Sequence, residues 1–334
     1  MAHTTQAVVF AAQGKAAVEE VPVPDLRPTD VRVEVEYSSV SIGTERWCLM
    51  GRLHAPAEAP SPFPFVPGYQ AAGVVTEVGR DVRRLKPGDR AFSVCGRLAE
   101  GGPRLMWGGH MQCHVTPWQN VFKLPASVST RAASGLLLAQ VGYNGAVQPR
   151  VRKGDVVVVI GDGLVGQYAG QVFRHRGAHV VLSGHHDARL RLAARYAADE
   201  VVNSAREDFA SYVRRRWPDG VQVAAESASR NELVRMAIDM LEYNGQLVLL
   251  GYYPEGECMI DIHWVRARET TIYCPNSWTP ERLKATLKLI EQGHMKVDEL
   301  VTHELPFTEA PRAYQMILDR SEEFLGVVFR WSEA

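Results

Sequence analysis

The sequence predicts an α/β protein in which a doubly wound parallel sheet is joined to a β-rich region. A run of β-branched residues at 156–160 breaks on a Gly-x-Gly-x-x-Gly loop at 161–166 and continues into a helix-like segment. From residue 130 onward, short apolar segments alternate with helical patterns, which is typical of a parallel sheet covered on both faces. Residues 7–125 instead combine alternating apolar positions with many prolines, which argues against a helical domain there.

The overall composition limits the possible classes of protein. A chain of 334 residues can form two ordinary domains, and 46% hydrophobic residues with a net charge of −1 indicate a globular protein. No basic excess is present to neutralise phosphates, so we expect no nucleic-acid partner. The N-terminus lacks a signal-peptide pattern, and no apolar run is long enough to span a membrane. Five scattered cysteines without a Cys-x-x-Cys pair predict free thiols in a reducing cytoplasm.

The elements can be predicted in order along the chain. In the β-rich region we expect strands at 7–10, 31–37, 72–79 and 91–94. A helix at 131–141 then leads to strands near 156–160, 179–182, 200–202, 222–225 and 246–250, with helices at 165–176, 187–197, 205–216 and 231–242 between them. The tail reads as a helix at 281–292, a strand at 299–305, a helix at 309–318 and a strand at 326–331. Because the tail strands resemble the first region, the predicted domains are 1–135, 136–275 and a return to the first domain over 276–334.

The glycine loop predicts a dinucleotide site. Gly161 would make the turn, Gly163 would let backbone N–H groups approach the pyrophosphate, and Gly166 would let the helix pack on the sheet. Leu164 and Val165 occupy the first helical turn, whose N-terminus carries partial positive charge. An ordinary tight turn is the alternative interpretation.

Five segments together resemble the medium-chain dehydrogenase/reductase superfamily over essentially the whole chain: Val66–Val75, Val82–Arg90, Gly108–Cys113, Gly161–Gly166 and Asn244–Gly251. The resemblance implies a GroES-like β-rich catalytic domain and a Rossmann domain, with the active site in the cleft between them. It also implies a small-molecule substrate and a homo-oligomer, either a dimer or a tetramer.

The resemblance points to the zinc-free branch of the superfamily. The positions that match the three catalytic zinc ligands of other members are Ile42, Tyr69 and Leu138, and two of these side chains cannot bind a metal. The four closely spaced cysteines of a structural zinc site are also missing, since only Cys95 and Cys113 lie in that region. We therefore expect no zinc.

The first third of the chain looks most like bacteriochlorophyllide dehydrogenases, and it supplies four candidate catalytic residues. Without zinc, hydroxyl or imidazole donors must stabilise the substrate oxygen, and Thr44, Tyr69 and His110 are the candidates, with Glu45 as an orienting group or base. Three of the four have an alternative interpretation: Tyr69 could merely pack, His110 could be structural, and Glu45 could form an ordinary salt bridge.

The residues after the second strand of the Rossmann domain predict the cofactor. Members that prefer NAD place an acidic residue there, and the matching position is Gly184. Ser183, His185 and Arg189 surround it with donors suited to a 2′-phosphate, so NADP(H) is predicted over NAD(H). In the alternative, Asp187 supplies the missing carboxylate. Four residues that follow later strands should complete the cofactor site: Ser227, Gly251, Tyr252 and Asn276.

The sequence therefore predicts a zinc-independent, NADP(H)-dependent enzyme that interconverts a secondary alcohol and a ketone on a specialised metabolite by direct hydride transfer. Two alternatives stay open. The first is an NADPH-dependent reductase of activated C=C bonds, which needs the same donors. The second is a cofactor-binding protein without catalysis.

Overall fold

The computed structural model describes residues 4–53, 63–253, 256 and 258–332. The chain divides into two compact units: the first unit is Met1–Leu137 with Val297–Ala334, and the second unit is Leu138–Lys296. The second domain boundary is predicted at 275/276, whereas in the structure residues 276–296 lie with the second unit. There the backbone N–H and C=O of Lys296 both hydrogen-bond the side-chain amide of Gln171, at 2.6 and 3.1 Å.

The first unit is built mainly of strands. Its strands before the second unit are β1 (Thr4–Ala12), β2 (Lys15–Pro22), β3 (Asp30–Ser39), β4 (Phe65–Val66), β5 (Ala71–Val78), β6 (Arg90–Ser93), β7 (Arg104–Leu105), β8 (Cys113–Pro117) and β9 (Val121–Lys123). Its other elements are helices α1 (Ile42–Leu49) and α2 (Thr130–Ala133), and the C-terminal β16 (Val301–Pro306), α10 (Ala310–Asp319) and β17 (Gly326–Arg330).

Two sheets organise the first unit. The larger has the strand order β16-β17-β3-β5-β6-β9, with β8 also paired to β3, and the smaller has the order β2-β1-β4-β7. Strand β17 pairs antiparallel with β3, so the C-terminal segment completes the larger sheet. Helices α1 and α10 bury their apolar side chains in one core cluster with Phe10, Phe329 and Trp331.

The second unit is a parallel α/β sheet. Its strands are β10 (Val156–Ile160), β11 (His179–Gly184), β12 (Glu200–Asn203), β13 (Val221–Glu226), β14 (Leu241–Leu249) and β15 (Thr271–Tyr273). Its helices are α4 (Leu164–His175), α5 (Asp187–Tyr196), α6 (Phe209–Arg216), α7 (Asn231–Met240), α8 (Ile262–Ala267) and α9 (Pro280–Glu291), preceded by α3 (Leu136–Val147) at the boundary between the units.

The strand order of this sheet is β12-β11-β10-β13-β14-β15, and every neighbouring pair is parallel. In order of appearance this is 3-2-1-4-5-6, the order of a Rossmann sheet, which confirms the predicted fold class. The order reverses between β10 and β13, so the loops after these two strands border the crevice where such sheets bind ligands. Val157, Val158 and Val159 are fully buried, as expected for a strand covered on both faces.

Within the described residues, no helix is both long enough and apolar enough to cross a bilayer. All five cysteines lie within these residues, and all are free thiols.

Candidate active site and dinucleotide site

The loop after β10 forms an open cradle at the N-terminus of α4. Gly161 has φ +119°, a conformation that side-chain-bearing residues rarely adopt, and a Cβ at Gly166 would lie 2.2 Å from the carbonyl oxygen of Gly161. A Cβ at Gly163 would instead meet no atom within 4 Å. The hydroxyl of Ser227 donates to the carbonyl of Ile160 at 3.0 Å, so this side chain supports the loop from below.

The start of α4 suits an anionic group. Gly163 is the N-cap residue, and no side chain caps the helix. Leu164 and Val165 lie in the first turn, where backbone N–H groups lack intrahelical partners and the helix dipole is positive. The open space at Gly163 and this helix end together fit a dinucleotide pyrophosphate.

The end of β11 differs from the sequence-based picture in one respect. Gly184 is indeed the last residue of β11, after the buried Ser183. A Cβ at Gly184, however, would lie 2.3 Å from both Cβ and Oδ2 of Asp162. The side chain of Asp162, from the glycine loop, therefore fills the space that a side chain at position 184 would enter.

The Asp162 carboxylate is buried and surrounded by donors. Its Oδ2 accepts the backbone N–H groups of His185 and His186 at 2.9 and 3.0 Å, and Nδ1 of His186 lies 3.0 Å away. The guanidinium of Arg189 lies 3.5 Å from Oδ1. Burial alone would raise the pKa of Asp162, but hydrogen bonds and electrostatic interactions with His186, and the nearby charge of Arg189, lower it. The carboxylate is thus ionised and turned inward.

Asp187 does not take the place of the missing carboxylate. Its side chain accepts a hydrogen bond from the amide of Asn203 at 2.7 Å and pairs with Arg206. Both partners lie at or beyond the end of β12, so Asp187 is bonded on that side of the loop.

Three other predicted cofactor residues follow later strands. Gly251 packs closely against Ser229, where a Cβ would lie 2.5 Å from the serine hydroxyl. Tyr252 is 48% exposed, and the side chain of Asn276 accepts the backbone N–H of Ser277. Their roles in cofactor binding stay predictions.

In the first unit, Tyr69 belongs to a cluster of hydroxyl groups at the start of α1. The carboxylate of Glu45 accepts the backbone N–H of Ser41 at 2.7 Å, and the Ser41 side chain does not cap the helix. The hydroxyls of Ser41 and Thr44 instead lie close enough to the phenol of Tyr69 to lower its pKa. Burial raises the pKa of Tyr69 well above its usual range, so the phenol keeps its proton. Tyr69 and Thr44 are partly exposed, whereas Ser41 is buried.

A buried hydrogen-bonded chain lies behind this cluster. The indole N–H of Trp331 donates to Oγ of Ser38 at 2.8 Å, and Ser38 lies 2.8 Å from Nδ1 of His110. His110 Nε2 is 2.9 Å from Oε2 of Glu45, which also accepts the Tyr314 hydroxyl. Since the Glu45 carboxylate can only accept, we assign the tautomer in which Nε2–H of His110 donates to Glu45 and Nδ1 accepts the hydroxyl of Ser38. Every polar side-chain group in this buried hydrogen-bonded series, from Trp331 to Tyr314, then has a partner.

Tight packing fixes His110 in this position. A Cβ at Gly68, which has φ +81°, would lie 2.5 Å from the His110 ring, and a Cβ at Gly109 would lie 2.3 Å from the backbone nitrogen of Tyr69. The Gly-Gly-His and Pro-Gly-Tyr segments therefore lie directly against each other. This packing connects the buried chain to the residue that carries the partly exposed phenol.

Sequence reasoning missed several residues of both sites. Ser38, Ser41, Tyr314 and Trp331 were not among the candidates, and neither was Asp162 as a partner of position 184. Asp162 was detectable, since an aspartate inside a glycine loop needs a partner once it is buried. Tyr314 and Trp331 had no comparable signal, because their partners lie 269 and 293 residues away in sequence.

Two family profiles match consecutive parts of the chain: an alcohol dehydrogenase GroES-like domain over residues 27–126, and a zinc-binding dehydrogenase profile over residues 165–292. An alcohol dehydrogenase of Rhizobium meliloti (strain 1021) is 30% identical over 309 residues, which cover 86% of this chain and 88% of that protein. The 2-desacetyl-2-hydroxyethyl bacteriochlorophyllide A dehydrogenase of Cereibacter sphaeroides is 26% identical, with 93% of each chain covered.

Among solved structures, a dehydrogenase structure from Sinorhizobium meliloti 1021 bound to NADP superposes with a TM-score of 0.83. It is 24% identical and covers 98% of this chain and 100% of its own, which supports the fold. The chain therefore belongs to the medium-chain dehydrogenase superfamily. It is an oxidoreductase of that superfamily, whose reactions use a nicotinamide cofactor.

Proposed function

We propose that this protein is a zinc-independent, NADP(H)-dependent oxidoreductase that interconverts a secondary alcohol and a ketone on a specialised metabolite by direct hydride transfer. One observation carries the proposal. Tyr69 stands where zinc-dependent members have a histidine ligand, and its phenol joins the hydroxyls of Thr44 and Ser41 in one cluster. A neutral acid thus occupies the place of a metal ligand.

The side chains of the first unit do not fit a catalytic zinc ion. Ile42, at the start of α1, has no atom that could bind a metal. Glu45 and His110 are committed to each other and to buried partners. Burial raises the pKa of Cys95 to about 12 and that of Cys113 to about 11, so neither thiol is a ready thiolate ligand. We therefore derive no step through zinc.

In the proposed reaction, side chains of the protein donate or accept the proton at the substrate oxygen, while a hydride is transferred to or from the substrate carbon. A bound nicotinamide dinucleotide supplies or accepts that hydride. As a ketone is reduced, negative charge develops on its oxygen, and the O–H groups of Tyr69 and Thr44 are the donors assigned to it. In the oxidation direction the same oxygens receive the proton.

We assign Glu45 and His110 to positioning rather than to contact with the substrate. Glu45 caps the backbone N–H of Ser41, which leaves the Ser41 hydroxyl for Tyr69. His110 holds the opposite side of that carboxylate at 2.9 Å. Both side chains are at most 1% exposed, so they act through the orientation of α1 and of the Tyr69 hydroxyl cluster.

The preference for NADP(H) is supported by the end of β11. No carboxylate extends from Gly184, and the one nearby, on Asp162, is turned inward and bonded to His186 and to backbone amides. Arg189, in the first turn of α5, adds a guanidinium nearby. A 2′-phosphate therefore meets donors there instead of an outward-facing negative charge.

The test combines metal analysis, isotope labelling and substitution. Purified protein would be stripped with a chelator, checked by elemental analysis, and assayed with NADPH against a panel of aliphatic and aryl-alkyl ketones. We expect full turnover without zinc and deuterium from labelled NADPH on the carbinol carbon. Deuterium on a β-carbon would support C=C reduction instead. Activity that required stoichiometric zinc would refute the mechanism, and no cofactor turnover with any substrate would support a non-catalytic role.

Substitutions then locate the proton donor. Tyr69→Phe should lower kcat by about 100-fold or more, because the phenol supplies general-acid catalysis. Thr44→Val should have a similar effect in the same direction. Tyr243→Phe, which removes a hydroxyl from a residue that is 58% exposed, is the matched control and should leave kcat unchanged. If Tyr69→Phe kept full turnover, Tyr69 would be a packing residue.

A further inference from the structure

We propose that Asp162, in the middle of the glycine loop, determines the choice between NADP(H) and NAD(H) by holding its carboxylate inward at the place where an acidic residue of β11 would otherwise face the ribose. This inference rests on the proposed dinucleotide function and adds a residue that determines specificity. Gly184 then only leaves space for the side chain of Asp162, and Asp162 determines the cofactor preference.

The first step of the argument is steric. A Cβ at Gly184 would come within 2.3 Å of Cβ and Oδ2 of Asp162, so the two positions cannot both carry side chains in this arrangement. Only one carboxylate fits at the end of β11. In this chain it comes from the loop and not from the strand.

The second step concerns the lone pairs of that carboxylate. Oδ2 accepts two backbone N–H groups and faces Nδ1 of His186, while Oδ1 lies 3.2 Å from His186 Nδ1 and 3.5 Å from Arg189. A carboxylate that binds a ribose needs its oxygens for two hydroxyl donors. The oxygens of Asp162 are already engaged by protein donors.

The third step concerns charge. The Asp162 side chain is only 5% exposed, whereas that of His186 is 27% exposed and that of Arg189 is 18% exposed. The negative group is therefore the most deeply buried of the three, and the cationic and imidazole groups lie nearer to solvent. By accepting the backbone N–H groups of His185 and His186, Asp162 also fixes the loop that carries His186 and leads into α5, where Arg189 lies. A 2′-phosphate suits this arrangement better than a pair of ribose hydroxyls.

The same residues could be considered as a metal site. Ligand atoms of Asp162, His185 and His186 all lie within 4.8 Å of one another, the one such group found among the described residues. The two backbone N–H donors and the Arg189 guanidinium oppose a cation there. We therefore favour an anion at this site, and binding experiments should include EDTA to remove any bound metal.

The experiment transfers the carboxylate from position 162 to position 184. Dissociation constants for NADPH and NADH would be measured by fluorescence titration for the wild-type protein, for Asp162→Asn, and for the double variant Asp162→Gly with Gly184→Asp. The double variant places an acidic side chain on β11 with space to face the ribose. It should bind NADH at least about tenfold more tightly and NADPH at least about tenfold more weakly than the wild type does.

Asp162→Asn keeps an oxygen acceptor for the two backbone N–H groups but removes the charge. It should tighten NADPH binding a few-fold and leave the Kd of NADH within about threefold of wild type. Asp187→Asn is the matched control, because it removes a carboxylate from the same loop whose partners are Asn203 and Arg206. It should change neither constant by more than about threefold.

Each outcome separates the possibilities. If Asp162→Asn weakened NADH by tenfold or more, Asp162 would itself bind the ribose and the inference would be wrong. If both variants changed the two constants no more than Asp187→Asn does, Asp162 would have no role in selectivity, while the proposed function would stand. If the wild-type protein bound neither dinucleotide, the proposed function and this inference would both fail. Because Asp162→Asn keeps the backbone anchor, it gives a result even if the double variant folds poorly.

Discussion

Removing the hydroxyl of Tyr314 is expected to destabilise the first unit. Tyr314, on α10, donates to the carboxylate of Glu45 on α1, and both side chains are at most 1% exposed. Burial, and then the neighbouring Glu45 carboxylate, raise the pKa of Tyr314 well above its usual range, so the phenol remains a donor at working pH. Tyr314→Phe keeps the ring in its edge-to-face contact with Phe10, at 4.8 Å between centroids, and removes only the hydrogen bond.

The size of the effect follows from the charge and burial of the acceptor. A hydrogen bond to a charged group contributes about 1.5–3 kcal/mol, and here the acceptor is only 1% exposed, so bulk solvent does not reach it to replace the lost donor. We therefore expect Tyr314→Phe to lower the free energy of unfolding of the first unit by about 1.5–3 kcal/mol. Tyr243→Phe, on the surface of the second unit, also removes a hydroxyl that bonds a carboxylate, that of Glu269. Because that hydroxyl is exposed to solvent, its loss should leave the free energy of unfolding nearly unchanged.

Peptide-resolved hydrogen exchange at increasing urea concentrations would follow each unit separately, which avoids assuming a single transition for the whole chain. Peptides from α10 and β17 report on the first unit, and peptides from β10 and β13 report on the second. A double-mutant cycle with Glu45→Gln should give a coupling energy of about 1–3 kcal/mol. The reasoning would be refuted if Tyr314→Phe were no more destabilising than Tyr243→Phe, or if its effect appeared in the second unit.

Three other predictions follow from individual buried groups. Burial lowers the pKa of His114 from 6.5 to about 4, so between these pH values the unfolded chain takes up a proton that the folded chain does not. In urea titrations the free energy of unfolding of the first unit should therefore fall by about 1.4 kcal/mol per pH unit as pH falls through this range. His114→Gln should flatten this pH profile, and parallel profiles for the variant and the wild type would contradict the prediction. Gln140 is fully buried, and neither atom of its side-chain amide has a hydrogen-bond partner among the described residues. Gln140→Met should therefore raise the free energy of unfolding by about 1–3 kcal/mol, with a higher melting temperature. A lower free energy of unfolding would instead reveal a polar partner for the amide. A Cβ at Gly163 would meet no protein atom within 4 Å, so Gly163→Ala should lower the free energy of unfolding by at most about 1 kcal/mol. In titrations it should nevertheless raise the Kd of both NADPH and NADH by about tenfold or more, because the methyl group would enter the space of the pyrophosphate. Unchanged dissociation constants would place the pyrophosphate elsewhere.

The elements that the sequence predicted well are those with strong local patterns. The parallel strand at 156–160 and the helix after it match β10 and α4, because a run of β-branched residues, a glycine turn and an amphipathic segment are all visible locally. The helix at 281–292 also begins and ends within one residue of α9, which has proline in its first turn and Thr279 as N-cap.

Helix α1 was not predicted, although it carries two of the four candidate catalytic residues, Thr44 and Glu45. Its segment Ile42–Leu49 begins with a β-branched residue and a glycine, and it lacks a clear apolar stripe. The helix is stabilised by contacts that are remote in sequence. Glu45 caps the backbone of Ser41 while it bonds Tyr314, 269 residues away. Such a helix depends on tertiary structure, so local propensity could not reveal it.

The candidate site shows the same division. Counting along the chain predicts position 184 as the cofactor-selecting position, but it could not identify the residue that lies beside it. The carboxylate that lies beside it belongs to Asp162, and the hydrogen bond to His185 spans 23 residues. Sequence reasoning identified which side chain was missing, whereas the structure shows which side chain fills the space.

The two sites each contain a buried carboxylate with the same kinds of hydrogen-bond partner, and this similarity determines which polar groups remain accessible. Glu45 and Asp162 are each buried, each accept backbone N–H groups, and each bond a histidine. An ionised carboxylate that is satisfied internally fixes the backbone around it and adds little negative charge to the surface it supports. The groups that remain accessible are then neutral hydroxyls near Glu45, and an imidazole and a guanidinium near Asp162. Such surfaces suit a reaction in which a proton must be given to an oxygen and a phosphate must be held, without a metal to do either.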